Sequence, residues 1–397
     1  MSLGLLPGAL QPRFPDLRRA AQAEPLGIYL HVPFCKDRCT YCSFVTTRDQ
    51  QLQGAVVARL VAELRAWGEA LGRPAVDTLY LGGGTPSLLT RPELTDLTAA
   101  LREAFDLGPL AEATLEANPG TEDLAWLEAA RGLGWDRVSL GVQTFDDGLL
   151  ARLGRIHDGA AALEALDLCA RAGFARRSGD LMVGIPGQSL VRVLGDARRL
   201  VASGLEHLSI YLLDLDKACP LKAEVEAGRL ELPGEDAVAD VFEALQAELP
   251  AAGLRPYEIS NYARPGAESR HNTRYWKRRP YLGLGVSAAS QLGRWRWTES
   301  AVLPAWLEGR GALELTELDA AEALAEIPLL GLRLHEGLDW TALRGEAARL
   351  NLVPLVDGWE ARFRAFAAKG LMAFEGDRLR LTPRGMLVSN GIFEVLL

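Results

Sequence analysis

Three of the chain's five cysteines, Cys35, Cys39 and Cys42, fall within eight residues in the stretch HVPFCKDRCTYCSF. Scattering five cysteines at random over such a chain would produce this spacing about 0.0008 times, so the cluster asks for a chemical reason. A disulfide would leave one thiol over and does not suit a reducing compartment. Structural zinc takes four ligands, and His31 would have to supply the fourth from a strand ahead of the loop, an awkward place. Iron–sulfur clusters bind thiolates readily, and three thiolates on a four-iron cluster leave one iron open to coordinate something else. Other candidates recur downstream: Gly82-Gly83-Gly84-Thr85-Pro86, then Glu116 and Asn118, Gln143, and Asp180 ahead of Gly184-Ile185-Pro186. Taken singly, each has an ordinary reading as a turn or a satisfied structural group.

What these residues share is their place in the expected elements. Short apolar runs predict strands at 27–32, 77–83, 112–118, 136–143, 177–184 and 207–214. Amphipathic helical patterns lie between them, such as 56–71 and 159–173, the latter ending on Gly173. This alternation predicts an α/β fold with a parallel sheet, either barrel-like or doubly wound. The cysteines follow the first strand, the glycine run the second, and Glu116, Gln143 and Asp180 lie toward the ends of the third, fourth and fifth. Ligand groups gathered from many strand ends describe a barrel mouth. We therefore expect a lead-in over 1–25 and a complete or partial (β/α) TIM-like barrel over 26–255. A connecting segment spans 256–300, and a smaller, mostly helical, winged-helix-like domain spans 301–397.

The chain has 397 residues, 48% hydrophobic and 24% charged, with a net charge of −9. That balance argues against nucleic acid as a partner, which needs a broad basic surface. The N-terminal stretch is broken by Pro7, Pro12 and Pro15 and lacks a basic region ahead of its apolar residues, so no signal peptide is expected. No apolar run reaches membrane-spanning length, which leaves only peripheral membrane contact open. Few, clustered cysteines suit the cytoplasm.

With Tyr41 before its last cysteine, the loop resembles the signature of radical S-adenosylmethionine (SAM) proteins. Over nearly its whole length the chain is similar to the coproporphyrinogen III oxidase-like group, through YLHVPFCKDRCTYCSF, YLGGGTPSLL, LEANPGT, RVSLGVQTF, RLGRIH, DLMVGIPGQS, YEISNYARPG and HNTRYW. The resemblance implies a 4Fe-4S cluster on Cys35, Cys39 and Cys42, with SAM on the open iron. It further implies that Gly82, Gly83, Gly84 and Thr85 hold the methionine end, that Tyr29, Tyr41, Glu116, Gln143, Arg155 and Asp180 contribute further contacts, and that Gly184-Ile185-Pro186 lies near the adenine.

Within the group, Phe44 stands where the oxidase carries a fourth cysteine, HNTRYW matches a motif of the HemW-type branch, and the lead-in is short for an oxidase. The resemblance thus implies a heme chaperone that uses the cluster and SAM, delivers heme to acceptor hemoproteins and draws on an electron donor. His271 is then a heme contact, and no side chain is assigned a catalytic role. An oxygen-independent coproporphyrinogen III oxidase is the alternative, and a cluster-free zinc protein a third reading. Two departures bear on the porphyrin half: Ala289 replaces a histidine usual in the group, and Cys219 stands where threonine is common.

Residues 270–297 permit the heme reading on their own chemistry. They hold His271, five aromatics from Tyr275 to Trp297, and the cations Arg270, Arg274, Lys277, Arg278, Arg279, Arg294 and Arg296. Imidazole suits heme iron, and arginine forks suit propionates. On composition alone, core aromatics and solvated arginines explain the segment equally well.

Overall fold

Six parallel strands form the centre of the fold in a computed structural model that describes residues 5–396; residues 1–4 and Leu397 lie outside the described residues. They are β1 (Leu26–Val32), β2 (Val76–Gly83), β3 (Glu112–Ala117), β4 (Arg137–Gln143), β5 (Arg176–Val183) and β6 (His207–Leu212). All six lie within two residues of the expected bounds. Neighbours in the sheet follow chain order from β1 to β6, without the reversal that a doubly wound sheet carries. Beyond β6 the sheet continues with β8 (Asn261–Ala263) and β7 (Arg255–Pro256). Beyond β1 it continues with β9 (Tyr281–Leu284), β10 (Ala289–Leu292), β11 (Trp295–Thr298) and β12 (Glu314–Glu317). No pairing closes β1 onto β6 among the described residues, so this is a partial (β/α) barrel.

The helices of this unit are α1 (Phe14–Ala23), α2 (Gln53–Leu71), α3 (Arg91–Ala104), α4 (Leu124–Gly132), α5 (Asp147–Arg152), α6 (Gly159–Arg171), α7 (Leu190–Ala202), α8 (Pro220–Glu226), α9 (Glu235–Glu248), α10 (Arg270–Trp276) and α11 (Leu303–Leu307). Their starts follow from local chemistry. Thr90, Asp123, Asp146, Asp158 and Ser189 each accept a backbone N–H in the first turn of the following helix, satisfying donors that have no intrahelical partner.

The strands alternate strictly. One row is apolar and packs into the main core: Ile28 and Leu30, Leu79 and Leu81, Ala113 and Leu115, Val138 and Leu140, Leu208 and Ile210. The other row is polar and bonded across the lumen: Tyr29 and His31, Thr78 and Tyr80, Glu112 and Glu116, Ser139, Ser178 and Asp180, His207. Successive side chains on a strand point to opposite faces, so helices cover one row and the barrel interior holds the other.

The segment over 256–300 supplies β8 to one flank of the sheet and β9 to β11 to the other, with β9 parallel to β1. The sheet then reaches β12, past residue 300. A second core begins with α12 (Ala320–Gly331), followed by β13 (Leu338–Asp339), α13 (Trp340–Arg349), α14 (Val353–Ala368), β14 (Met372–Glu375) and β15 (Arg378–Leu381). The strand order β13-β15-β14 and the helix–strand–helix–helix–strand–strand sequence are those of a winged helix.

Candidate functional site

The cysteine loop hangs between β1 and α2 at the C-terminal end of the barrel strands. Phe34 bridges to Thr47, and Cys35 N–H donates to the Thr47 carbonyl at 3.0 Å, which closes the loop on itself. Thr40 ties it to the opposite side through Leu153 and Leu221 at 2.9 Å each. All three thiols are half-buried and free of disulfides. Burial pushes the Cys35 and Cys42 thiols up, so metal binding here must displace their protons.

A chain of polar contacts joins two of the cysteines. Thr85 Oγ1 lies 3.7 Å from Cys35 Sγ and accepts from Asn118 Nδ2 at 2.7 Å; Asn118 Oδ1 accepts from Arg155 Nη2 at 2.6 Å; Arg155 Nη1 reaches Cys39 Sγ at 3.6 Å. Arg155 also donates to the Gly141 carbonyl. Tyr41, half-buried, packs with Leu153, Met182 and Ile185, and its hydroxyl is pushed up by burial against the pull of Arg155. Four strands thus contribute to one rim, and Gln143 joins it with a left-handed backbone at φ 67°. The residues fit a cluster held by three thiolates, with two hydrogen-bond donors aimed at sulfur.

Below the rim, Glu116 accepts from Tyr80 Oη at 2.7 Å and from Gly83 N–H at 3.1 Å. Burial is the largest influence on its carboxyl, pushed up to about 7. Asp180, on the next-but-one strand, accepts from Ser139 at 3.2 Å and is likewise raised by burial. Tyr29 lies 3.1 Å from His31 Nδ1 and packs against Tyr80.

The glycine run leaves no room for side chains. A Cβ at Gly83 would lie 2.7 Å from the His31 ring, one at Gly84 2.6 Å from the Phe34 carbonyl, and one at Gly82 2.9 Å from Glu116. Protein fills the space, so these glycines let β2 pack tightly against the cysteine loop and β3.

His31 does not serve as a fourth zinc ligand in this arrangement. Its ring nitrogens meet the Tyr29 hydroxyl and, at 3.0 Å, the Val45 carbonyl. Among the described residues no three of His, Cys, Asp and Glu converge as ligands of a single ion.

The lower end of the lumen is sealed by α10. The Glu112 carboxylate accepts from Ser269 Oγ and from the N–H groups of Arg270 and His271 at 2.9–3.2 Å, capping the helix from inside the barrel. His271 is fully buried: Nδ1 meets Thr78 Oγ1 at 3.0 Å and Nε2 meets the Tyr275 hydroxyl at 2.8 Å. Burial, then the charges of Arg274 and Arg137, hold its pKa near 3. Both ring nitrogens are thus engaged inside the protein in this arrangement.

The cations of the segment are mostly committed as well. Arg274 pairs with Asp77, Lys277 with Glu336, Arg279 with Glu24, Arg294 with Glu317, and Arg278 and Arg296 both with Glu326. Trp295 and Trp297 belong to the core, the latter stacked on Trp67 at 5.5 Å. Tyr80, Ser139 and Arg137 were not singled out from the sequence; the signal was the polar row of each strand, as in the alternation R-V-S-L-G-V-Q.

The radical SAM superfamily matches residues 29–200, and the HemN C-terminal domain matches 318–388. Heme chaperone HemW of Mycobacterium tuberculosis is 37% identical over 385 residues, covering 94% of this chain and 95% of the relative. Heme chaperone HemW of Escherichia coli is 33% identical, covering 94% and 98%. The solved structure of coproporphyrinogen III oxidase (HemN) from Escherichia coli, a radical SAM enzyme, superimposes with a TM-score of 0.82 over 97% of this chain and 93% of the other, at 22% identity; that likeness speaks for the fold.

Proposed function

The chain belongs to the HemW family of heme chaperones within the radical SAM superfamily, and from that premise we propose that it binds heme and passes it to acceptor hemoproteins with the help of a 4Fe-4S cluster and SAM. The observation that carries the reading is the barrel mouth: three free thiols on one loop, with Thr85 and Arg155 reaching two of the sulfurs. Cys35, Cys39 and Cys42 hold the cluster, and Gly82 to Thr85, Tyr29, Tyr41, Glu116, Gln143, Arg155 and Asp180 shape the SAM site beside it. When bound, the cluster and SAM supply one-electron reduction and cleavage of a carbon–sulfur bond. Phe44, 64% exposed beside the last cysteine, offers no fourth thiol at the position where the oxidase has one.

An electron donor, acceptor hemoproteins and a cytoplasmic location complete the proposal. No described helix is long and apolar enough to cross a membrane; contact with a membrane-bound acceptor would be peripheral. The test offers hemin and coproporphyrinogen III side by side to anaerobically reconstituted protein, following hemin absorbance, heme transfer to an apo-hemoprotein and vinyl-porphyrin formation. Hemin binding and transfer without vinyl product are expected. Vinyl product without hemin binding would replace the chaperone reading with the oxidase.

A further inference from the structure

The chain's negative charge is concentrated in one place. Residues 214–248, from just past β6 through α8 and α9, carry ten acidic side chains and three basic ones, seven of the nine net negative charges. Glu224 and Glu248 are held by Arg229 and Arg198. Glu231, Glu235, Asp236, Asp240 and Glu243 are exposed and make no ion pair among the described residues. Asp236, Asp240 and Glu243 stand at i, i+4 and i+7, a single stripe of α9, and like charges so spaced cost a helix stability. No described cation offsets them.

Beside the stripe runs an apolar groove between α7 and α9, at the mouth end of β5. Its cavity of about 150 Å³ is lined by Val183, Leu190, Val193, Val238 and Val241, with Asp240 on its border. Small-molecule sites are larger, about 300–1,000 Å³. A volume of this order takes one benzene-sized group, the bulk of a single apolar side chain. Around the groove, Val191 is 77% exposed and Leu212 53% exposed, the latter close against Gly184 of the lining. Adjoining exposed aliphatic side chains mark a binding surface. The nearby cations of α7 are committed, Arg192 to Asp146 and Arg198 to Glu248, so the border stays negative.

We propose that this groove docks the acceptor hemoprotein through a basic amphipathic helix. One aliphatic side chain of that helix fills the cavity, and its lysines or arginines lie on Asp236, Asp240 and Glu243. The proposal rests on the heme-chaperone reading and gives it a docking surface. Charge selects the partner: an acidic border repels acidic proteins and anionic membrane surfaces, and it steers a cationic face into contact. An acceptor still lacking its heme leaves the apolar stripe of its pocket helices uncovered, the shape a groove of this kind receives. The place suits delivery as well. Leu221 of α8 donates its N–H to the Thr40 carbonyl of the cysteine loop at 2.9 Å, so an acceptor docked here stands at the barrel mouth.

The probe is a fluorescent leucine–lysine peptide patterned as an amphipathic helix, with its leucine–glutamate counterpart as control. Anisotropy titrations use reconstituted full-length protein and three variants. The first is the α9 triple Asp236→Lys, Asp240→Lys and Glu243→Lys; the second is the α7 pair Leu190→Ser and Val191→Ser. The third, Asp96→Lys, Glu128→Lys and Glu164→Lys, makes the same charge change at exposed positions of α3, α4 and α6. The α9 triple should weaken the lysine peptide at least tenfold and the α7 pair at least threefold, while the third variant stays within twofold of wild type. Equal weakening by both triples would reduce the attraction to net charge and overturn the proposal. Loaded with hemin, the α9 triple should pass heme to apomyoglobin at least fivefold more slowly than the third variant. Equal rates would show that acceptors do not dock here, while the chaperone reading stands. If wild type binds no hemin, that reading and the acceptor as occupant fall together, whatever the peptide shows.

Discussion

Each of the three loop cysteines has a distinct hold on its surroundings, yet all should be equally necessary for the cluster. Replacing Cys35, Cys39 or Cys42 by Ala should remove most iron and sulfide after anaerobic reconstitution. Cys169→Ala should leave the iron and sulfide content intact, because Cys169 is buried in α6 within the core. Glu116 makes a pH-dependent prediction. Its carboxyl titrates near 7 in the fold, against 4.5 ordinarily, so between these values the folded state keeps a proton that the unfolded state has released. The contribution of this group to stability is therefore greatest below pH 4.5 and falls as pH rises to 7, by on the order of 3 kcal/mol. Glu116→Gln should remove that slope, so in urea unfolding of cluster-free protein the variant should gain on wild type as pH increases. Equal pH profiles would show that Glu116 ionises normally.

At the scale of elements, two junctions hold the site together. One is β2 against the cysteine loop. A Cβ at Gly84 would overlap the Phe34 carbonyl, which is backbone and cannot swing away. Gly84→Ala should cost about 1–3 kcal/mol and lower iron retention, measured by unfolding and metal content together. The other is the α10 plug. His271→Ala removes the ring that bonds Thr78 and Tyr275 and leaves a cavity, so about 2–4 kcal/mol of stability should be lost. Iron content should survive, since the plug lies at the far end of the lumen.

These junctions also mark where the sequence was legible. Strand positions, the loop and the strand-end residues follow local patterns of apolar runs and spacing. The fate of residues 270–297 does not. Arg274 finds Asp77, Arg279 finds Glu24, and Arg296 finds Glu326, partners separated by 30 to 255 residues in the chain. Such pairing exists only after β9 has inserted beside β1. The HNTRYW stretch likewise does not reveal that the first turn of its helix is capped by a carboxylate on β3.

For the molecule as a whole, two hydrophobic cores are joined by polar contacts and by Ile259, which packs against the second core. Glu326 of α12 accepts from Arg278 at 2.7 Å and also from Arg296, and the backbone of Tyr257 and Ile259 bonds that of His335 and Arg333. Glu326→Ala should loosen the second core from the first. In calorimetry its transition should fall by about 5 °C for each kcal/mol lost and separate from that of the barrel; a single unshifted transition would show that the seam does not depend on this residue.

The two rows of each strand have a consequence for descent. Because a side chain faces either the helices or the lumen, substitution at one kind of position scarcely disturbs the other. Lineages can therefore rewrite Tyr80, Glu116, Asp180 or their neighbours while inheriting Leu81, Leu115 and Leu181 unchanged. The barrel is heritable as scaffold and as chemistry separately, at alternate letters of the same words.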